Sequence, residues 1–180
     1  MPAPTRSRRR IQKAVVSAPP PESSAPMYRH ILVPTDGSPL SDNAAAAAVK
    51  LARLVGARIT ALHVVPDVPP IELEAWAHRD ELYIEHLEKA FAKRAQAYVA
   101  KVKALADKAG VPCETHYMRA ASAASEIVVT AAARKCDLIF MASHGMGDAA
   151  DPLLGSVTAK VLARGTIPVL VHRAHKADRA

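Results

Sequence analysis

From Met27 onward, short apolar runs alternate with helix-length segments, and that alternation constrains the fold more than any other feature of this 180-residue chain. The apolar runs are Ile31-Leu32-Val33, Arg58 to Val65, Pro112 to Met118, Leu138 to Ala142 and Ile167 to Val171. Each is short enough for a strand. The segments between them carry helix signals. Ser41 is placed as an N-cap with Asp42 in the first turn, and the helix runs through the Ala44–Ala48 block to Leu54 before Gly56 ends it. Residues 71–109 are expected to be helical, with Trp76 in a short separate helix and Gly110 as the stop. In that long helix, Ile84, Leu87, Phe91, Tyr98, Val102 and Leu105 form one apolar stripe, read as the face packed on the sheet. Ser122 to Lys135 and Gly155 to Arg164 complete the helical set. Strands alternating with helices imply βαβ units, right-handed crossovers and a parallel sheet. The apolar residues of the first, second, fourth and fifth runs fit burial on both faces. The third run alternates Cys113, Thr115 and Tyr117 with Glu114 and His116, which suits a sheet edge.

Composition agrees with one domain. Half of the residues are hydrophobic and only 4% are aromatic, so aliphatic side chains fill the interior. No apolar run reaches the length of about 18 residues needed for a membrane-spanning helix. The net charge of +7 is uneven: Arg6, Arg8, Arg9, Arg10 and Lys13 against Glu22 place +4 of it in residues 1–26. That segment is rich in proline and serine and is expected to be a solvated, disordered tail without specific nucleic-acid or membrane binding. Its Ile11–Val16 run is too short and too charged for a signal peptide. Met27, directly before the first strand, is an alternative start. The domain is placed at residues 27–175, with 176–180 a second short tail.

The most chemically informative stretch is 137–158. A strand runs into Ser143-His144-Gly145, and the loop ends at Gly155-Ser156, where a helix begins. Such a loop brings unpaired N–H groups and a helix N-terminus to one spot, an arrangement suited to phosphate. Gly145 and Gly155 allow close backbone approach, and Ser156 and Thr158 add hydroxyls. Asp36 follows the first strand in Thr35-Asp36-Gly37, either as a ligand contact or as a turn residue bonding its own backbone. If the first and fourth strands are neighbours where the winding reverses, both motifs face one crevice. His144 lacks the partners of a catalytic relay and reads as a loop-ordering residue. His63, inside an apolar strand, reads as a core or ligand-lining histidine, and no His or Cys spacing supports a zinc site. The P-loop pattern is absent, and no lysine is placed to neutralise a transferring phosphate, so no catalytic residues are assigned.

These residues resemble the universal stress protein family across Tyr28 to Arg173. The resemblance rests on Ile31-Leu32-Val33-Pro34-Thr35-Asp36-Gly37-Ser38, on Leu62-His63-Val64, on Ser143-His144-Gly145 with Gly155-Ser156, and on Ile167-Pro168-Val169-Leu170-Val171. It implies a three-layer α/β sandwich, adenine nucleotide alpha hydrolase-like, with a five-stranded parallel sheet in the order 3-2-1-4-5. It also implies a cytoplasmic, homodimeric regulator of the stress response that binds ATP, with Mg²⁺ accompanying the nucleotide. Asp36 would face the ribose or a bound metal, and Val64 would contact adenine through its backbone. Gly145, Gly155, Ser156, Val157 and Thr158 would hold the phosphates, and Pro34, Thr35, Ala142, Ser143 and His144 would complete the nucleotide site. The last strand, Val169-Leu170-Val171, is the expected dimer surface, because an unpaired apolar edge invites pairing.

Two departures from the family pattern stand out. Ala142 replaces the first glycine of the nucleotide-binding motif, and Met146, Asp148 and Asp151 occupy a loop where a basic residue is common. At about 1 kcal/mol for exposed charges, the two carboxylates weaken ATP binding roughly fivefold. The alternative readings are a family member that binds partner proteins but no nucleotide, and a slow ATP hydrolase. In the implied strand order, Cys113 and Cys136 sit three positions apart, roughly 14 Å at about 4.8 Å per step. A disulfide needs about 7 Å, so both thiols are expected free, as in a reducing cytoplasm.

Overall fold

The structure, a computed structural model, describes residues 26–67, 81–146 and 154–173. Residues 1–25, the Trp76 segment, Asp148, Asp151 and the tail at 176–180 lie outside the described residues, as does the side chain of Ile84. The strands are β1 (His30–Pro34), β2 (Arg58–Pro66), β3 (Cys113–Ala120), β4 (Leu138–Ala142) and β5 (Val169–His172). Between them run α1 (Pro39–Val55), α2 (Glu81–Ala109), α3 (Ala123–Ala133) and α4 (Ser156–Arg164). All strand pairs are parallel, in the order β3-β2-β1-β4-β5. This is the order implied by the family resemblance, with β1 central and β3 and β5 at the edges.

Several boundaries differ from the sequence expectation by one to three residues. The N-cap of α1 is Ser38, not Ser41: the Ser38 hydroxyl accepts the Ser41 N–H at 3.1 Å. Pro39 pre-sets the helical φ at the first position, so the helix starts earlier. Ser41 is buried inside the first turn, where its hydroxyl donates to the Ser38 carbonyl at 2.9 Å. Gly56 ends the helix in the left-handed region at φ 70°, as expected. β5 begins at Val169 rather than Ile167, because Pro168 has no N–H for the ladder. β3 continues to Ala120, two residues past its expected end.

The core has two halves, one on each face of the sheet. Ile31 and Val33 point toward Ala44, Ala48 and Val49 of α1 and Val99 and Val102 of α2. Leu32 and Ile139 point the other way, toward Ile127 and Ala131 of α3 and Val161 of α4. Strand alternation thus feeds both layers from one strand. The expected stripe on α2 is shifted: its fully buried members are Ala95, Val99, Val102 and Ala106. Leu87, Phe91, Tyr98 and Leu105 are only half-buried. Small side chains let α2 lie close to α1 and the sheet, and the larger ones fall on its flanks.

At the N-terminal end of the sheet, His30 is buried between two partners. Its Nε2–H donates to Thr60 Oγ1 at 2.8 Å, and its Nδ1 accepts from the Arg58 guanidinium at 3.1 Å. Burial, helped by the charge of Arg58, holds His30 below its ordinary value of 6.5. A base that stays neutral in the fold but takes up a proton when unfolded lowers stability under acid conditions. Its contribution is therefore complete above pH 6.5 and declines as pH falls below it. Between about pH 7 and about pH 5, the urea midpoint of the wild type is expected to fall further than that of His30→Gln. Parallel curves for the two proteins would contradict this assignment.

Cys113 and Cys136 are both free, as expected, and stand on opposite sides of the central pair of strands. Burial pushes both thiols up, that of Cys136 to about 11.

Candidate functional site

The connections change direction between β1 and β4, since β1 leads through α1 to β2 on one side while β4 lies on the other. A cleft opens beyond the C-terminal ends of these strands, where ligands sit in open parallel sheets. Its volume is about 390 Å³. Asp36 from the loop after β1 and Gly145 from the loop after β4 both line it, so the two motifs do face one crevice.

They also touch. Asp36 Oδ2 accepts the N–H of Met146 at 2.6 Å, and Oδ1 accepts the N–H of Ser38 at 3.0 Å. Burial by itself pushes this carboxyl up, but the hydrogen bonds from Ser38 and Met146 outweigh it and hold Asp36 below its ordinary value of 3.8. Asp36 is therefore an ionised acceptor at neutral pH. The turn reading of Asp36 holds for Oδ1, which bonds its own turn, while Oδ2 ties that turn to the loop after β4. Gly145 is required by this closeness, since a Cβ there would collide with Asp36 Oδ2.

The loop closes on the start of α4. The Gly155 N–H donates to the Ser143 carbonyl at 2.8 Å, and the Ser143 N–H donates to the His172 carbonyl at 2.9 Å. A Cβ on Gly155 would lie 3.1 Å from the Ser143 oxygen and 3.2 Å from His144 Cα, which leaves little room. Thr158 Oγ1 donates to the Ala142 carbonyl at 3.0 Å. These bonds correct the sequence expectation in two details. The Thr158 hydroxyl proton and the Gly155 amide are committed inside the protein. The donors remaining at the helix start are the amides of Ser156, Val157 and Thr158, which have no intrahelical acceptor. Whereas Ser38 and Ser122 cap α1 and α3, no side chain among the described residues caps α4.

Of the other expected residues, Pro34, Thr35, Val64, Ala142, His144, Ser156 and Val157 line the cleft. Ser143 is buried behind its wall. His144 Nδ1 lies 3.1 Å from Ser143 Oγ, in keeping with a loop-ordering role. His63 also lines the cleft: its Nδ1–H donates to the Thr35 carbonyl at 2.8 Å, and its ring meets Tyr98 edge-on with centroids 5.1 Å apart.

The far wall comes from α2 and was not anticipated. Phe91, Arg94 and Tyr98 line the cleft there. Their spacing puts them on one helix face, but the apolar stripe was read as facing the sheet alone. Arg94 places a cationic side chain on that wall. Among the described residues, no group of three or more His, Cys, Asp or Glu side chains is arranged to hold a metal ion.

A sequence profile of the universal stress protein family matches residues 27–173. The chain belongs to the universal stress protein family. A universal stress protein of Methanocaldococcus jannaschii is 34% identical over 155 residues, covering 84% of this chain and 86% of that protein. Among solved structures, the hypothetical protein MJ0577, whose biochemical function was assigned from its structure, is 28% identical with a TM-score of 0.65. That match covers 83% of this chain and 99% of the other. A universal stress protein solved in complex with cAMP shares the fold at 23% identity and a TM-score of 0.56, over 81% of this chain and 97% of that one. Within this universal stress protein fold, no helix among the described residues is long and apolar enough to cross a membrane.

Proposed function

We propose that the cleft binds ATP, accompanied by Mg²⁺, and that the chain acts as a cytoplasmic, homodimeric stress-response regulator without a catalytic role. The observation that carries this reading is the meeting of an ionised Asp36 with the uncapped start of α4 across one cleft. Helix-start amides favour phosphate, while a carboxylate acceptor favours sugar hydroxyls. On this reading Ser156, Val157 and Thr158 hold phosphate through their amides, and Gly145 and Gly155 keep the backbone close. Asp36, with Pro34 and Thr35 behind it, accepts from the ribose, and the Val64 backbone faces adenine. Ala142, Ser143 and His144 shape the loop. The likeness to nucleotide-bound members is one of fold, so the argument rests on these residues. β5 supports the dimer: it is an edge strand with Leu170 exposed, and Val169, Leu170 and Val171 would pair with a second copy. Residues 27–175 form the unit that carries these properties.

A second reading, a partner-binding member that takes no nucleotide, is favoured by one observation. The Met146 and Gly155 amides are already bonded within the protein. Titrating the protein with labelled ATP and Mg²⁺ separates the two. Saturable binding below millimolar ATP is expected, with no phosphate released beyond the uncatalysed rate. Absence of binding at millimolar ATP leaves the second reading standing, and steady phosphate release would make the protein a hydrolase.

A further inference from the structure

We infer that Arg94 and Phe91 form a stacking plate for the nucleobase, making Arg94 the base-recognising side chain of the cleft. This inference rests on the nucleotide reading and adds a residue and a role to it. The two ends of the cleft differ in chemistry. The amides of Ser156 to Thr158 lie at the β4–α4 end, and Asp36 lies between that end and β2. A nucleotide with its phosphate on those amides and its sugar at Asp36 extends its base toward the end of β2 and toward α2. There the wall is Val64, Val65, Pro66, Phe91, Arg94 and Tyr98. Arg94 Cζ sits 5.2 Å from the centroid of the Phe91 ring. Tyr98 is fixed by its edge-on contact with the buried His63 ring. Among the described residues no ion pair engages Arg94.

A guanidinium is planar, weakly hydrated and always charged, so it stacks on a π-face with less desolvation cost than an ammonium. Backed by Phe91 and with no carboxylate partner among the described residues, Arg94 offers a flat cationic surface at the base end of the cleft. Phosphate already has its donors at the opposite end. A base stacked on Arg94 gains cation–π attraction in addition to apolar burial against Val64 and Pro66.

Adenosine and AMP distinguish base recognition from phosphate recognition, because only AMP carries the charge. Their dissociation constants are measured by calorimetry for the wild type, Arg94→Gln, Arg94→Lys and Phe91→Leu. Arg94→Gln is expected to weaken adenosine and AMP by the same factor, about three- to thirtyfold. Arg94→Lys, which keeps the charge but loses the plane, should recover only part of that loss, and Phe91→Leu should weaken both ligands less. Arg94 is exposed, so melting curves are expected to match the wild type and confirm folding. Loss confined to AMP, or full recovery by lysine, overturns the stacking role in favour of a phosphate contact. Unchanged affinity for both ligands in Arg94→Gln overturns it outright while leaving nucleotide binding intact. A wild type that binds neither ligand at millimolar concentration overturns the nucleotide reading, and this inference with it.

Discussion

Gly145→Val is expected to reduce ATP affinity about a hundredfold, the cost of losing the charge-assisted bonds around one carboxylate together with the loop position they fix. The valine Cβ would occupy the space of Asp36 Oδ2. Asp36 must then swing away, and its bond to the Met146 N–H, which ties segments 110 residues apart, is broken. The same event removes the ribose acceptor and releases the loop that leads to α4. Because Gly145 is exposed and lies outside the two core clusters, the melting temperature is expected to change little. Calorimetric titration with ATP and Mg²⁺ checks the first expectation and a thermal melt the second. Wild-type affinity in this variant would mean that the closeness of Asp36 and Gly145 has no bearing on the ligand.

Leu32→Ala is expected to do the reverse, with a large loss of stability and a ligand site that stays intact in whatever protein folds. Leu32 is fully buried at the centre of the middle strand, against the layer that includes Ile127, Ala131 and Val161. Truncation there costs about 3 kcal/mol, because the side chain leaves a cavity that rigid neighbours cannot fill. In a domain of this size that lowers the melting temperature by about 6–12 °C. A shift of a degree or two would mean that the α3–α4 layer collapses onto the strand far more easily than its packing suggests. The two variants together separate what holds the molecule from what holds its ligand.

Much of the fold was legible because the strands are short, apolar and punctuated by glycine and proline. Gly56 and Gly110 ended helices where expected, and the polar residues Glu114 and His116 marked β3 as an edge. The N-cap of α1 was missed because Ser38 and Ser41 are both capping residues three apart, and Pro39 decides between them. The glycine loop and Asp36 were found from local pattern, since each lies beside its own strand. Arg94 was not, because its position in the cleft depends on how α2 packs, and no periodicity reports that. Nor does spacing reveal that the Gly155 amide and the Thr158 hydroxyl are satisfied internally. Those bonds form only once β4, its loop and α4 come together.

The weakened acidity of the two thiols has a chemical consequence. Oxidants react with the anionic form of cysteine, and at neutral pH only about one Cys136 side chain in ten thousand is ionised when its pKa stands near 11. Cys113 is shifted in the same direction, and the chain has no third cysteine. Oxidation of these two cysteines at neutral pH is thereby slowed, whereas the exposed thioether of Met146, beside Asp36, carries no such protection.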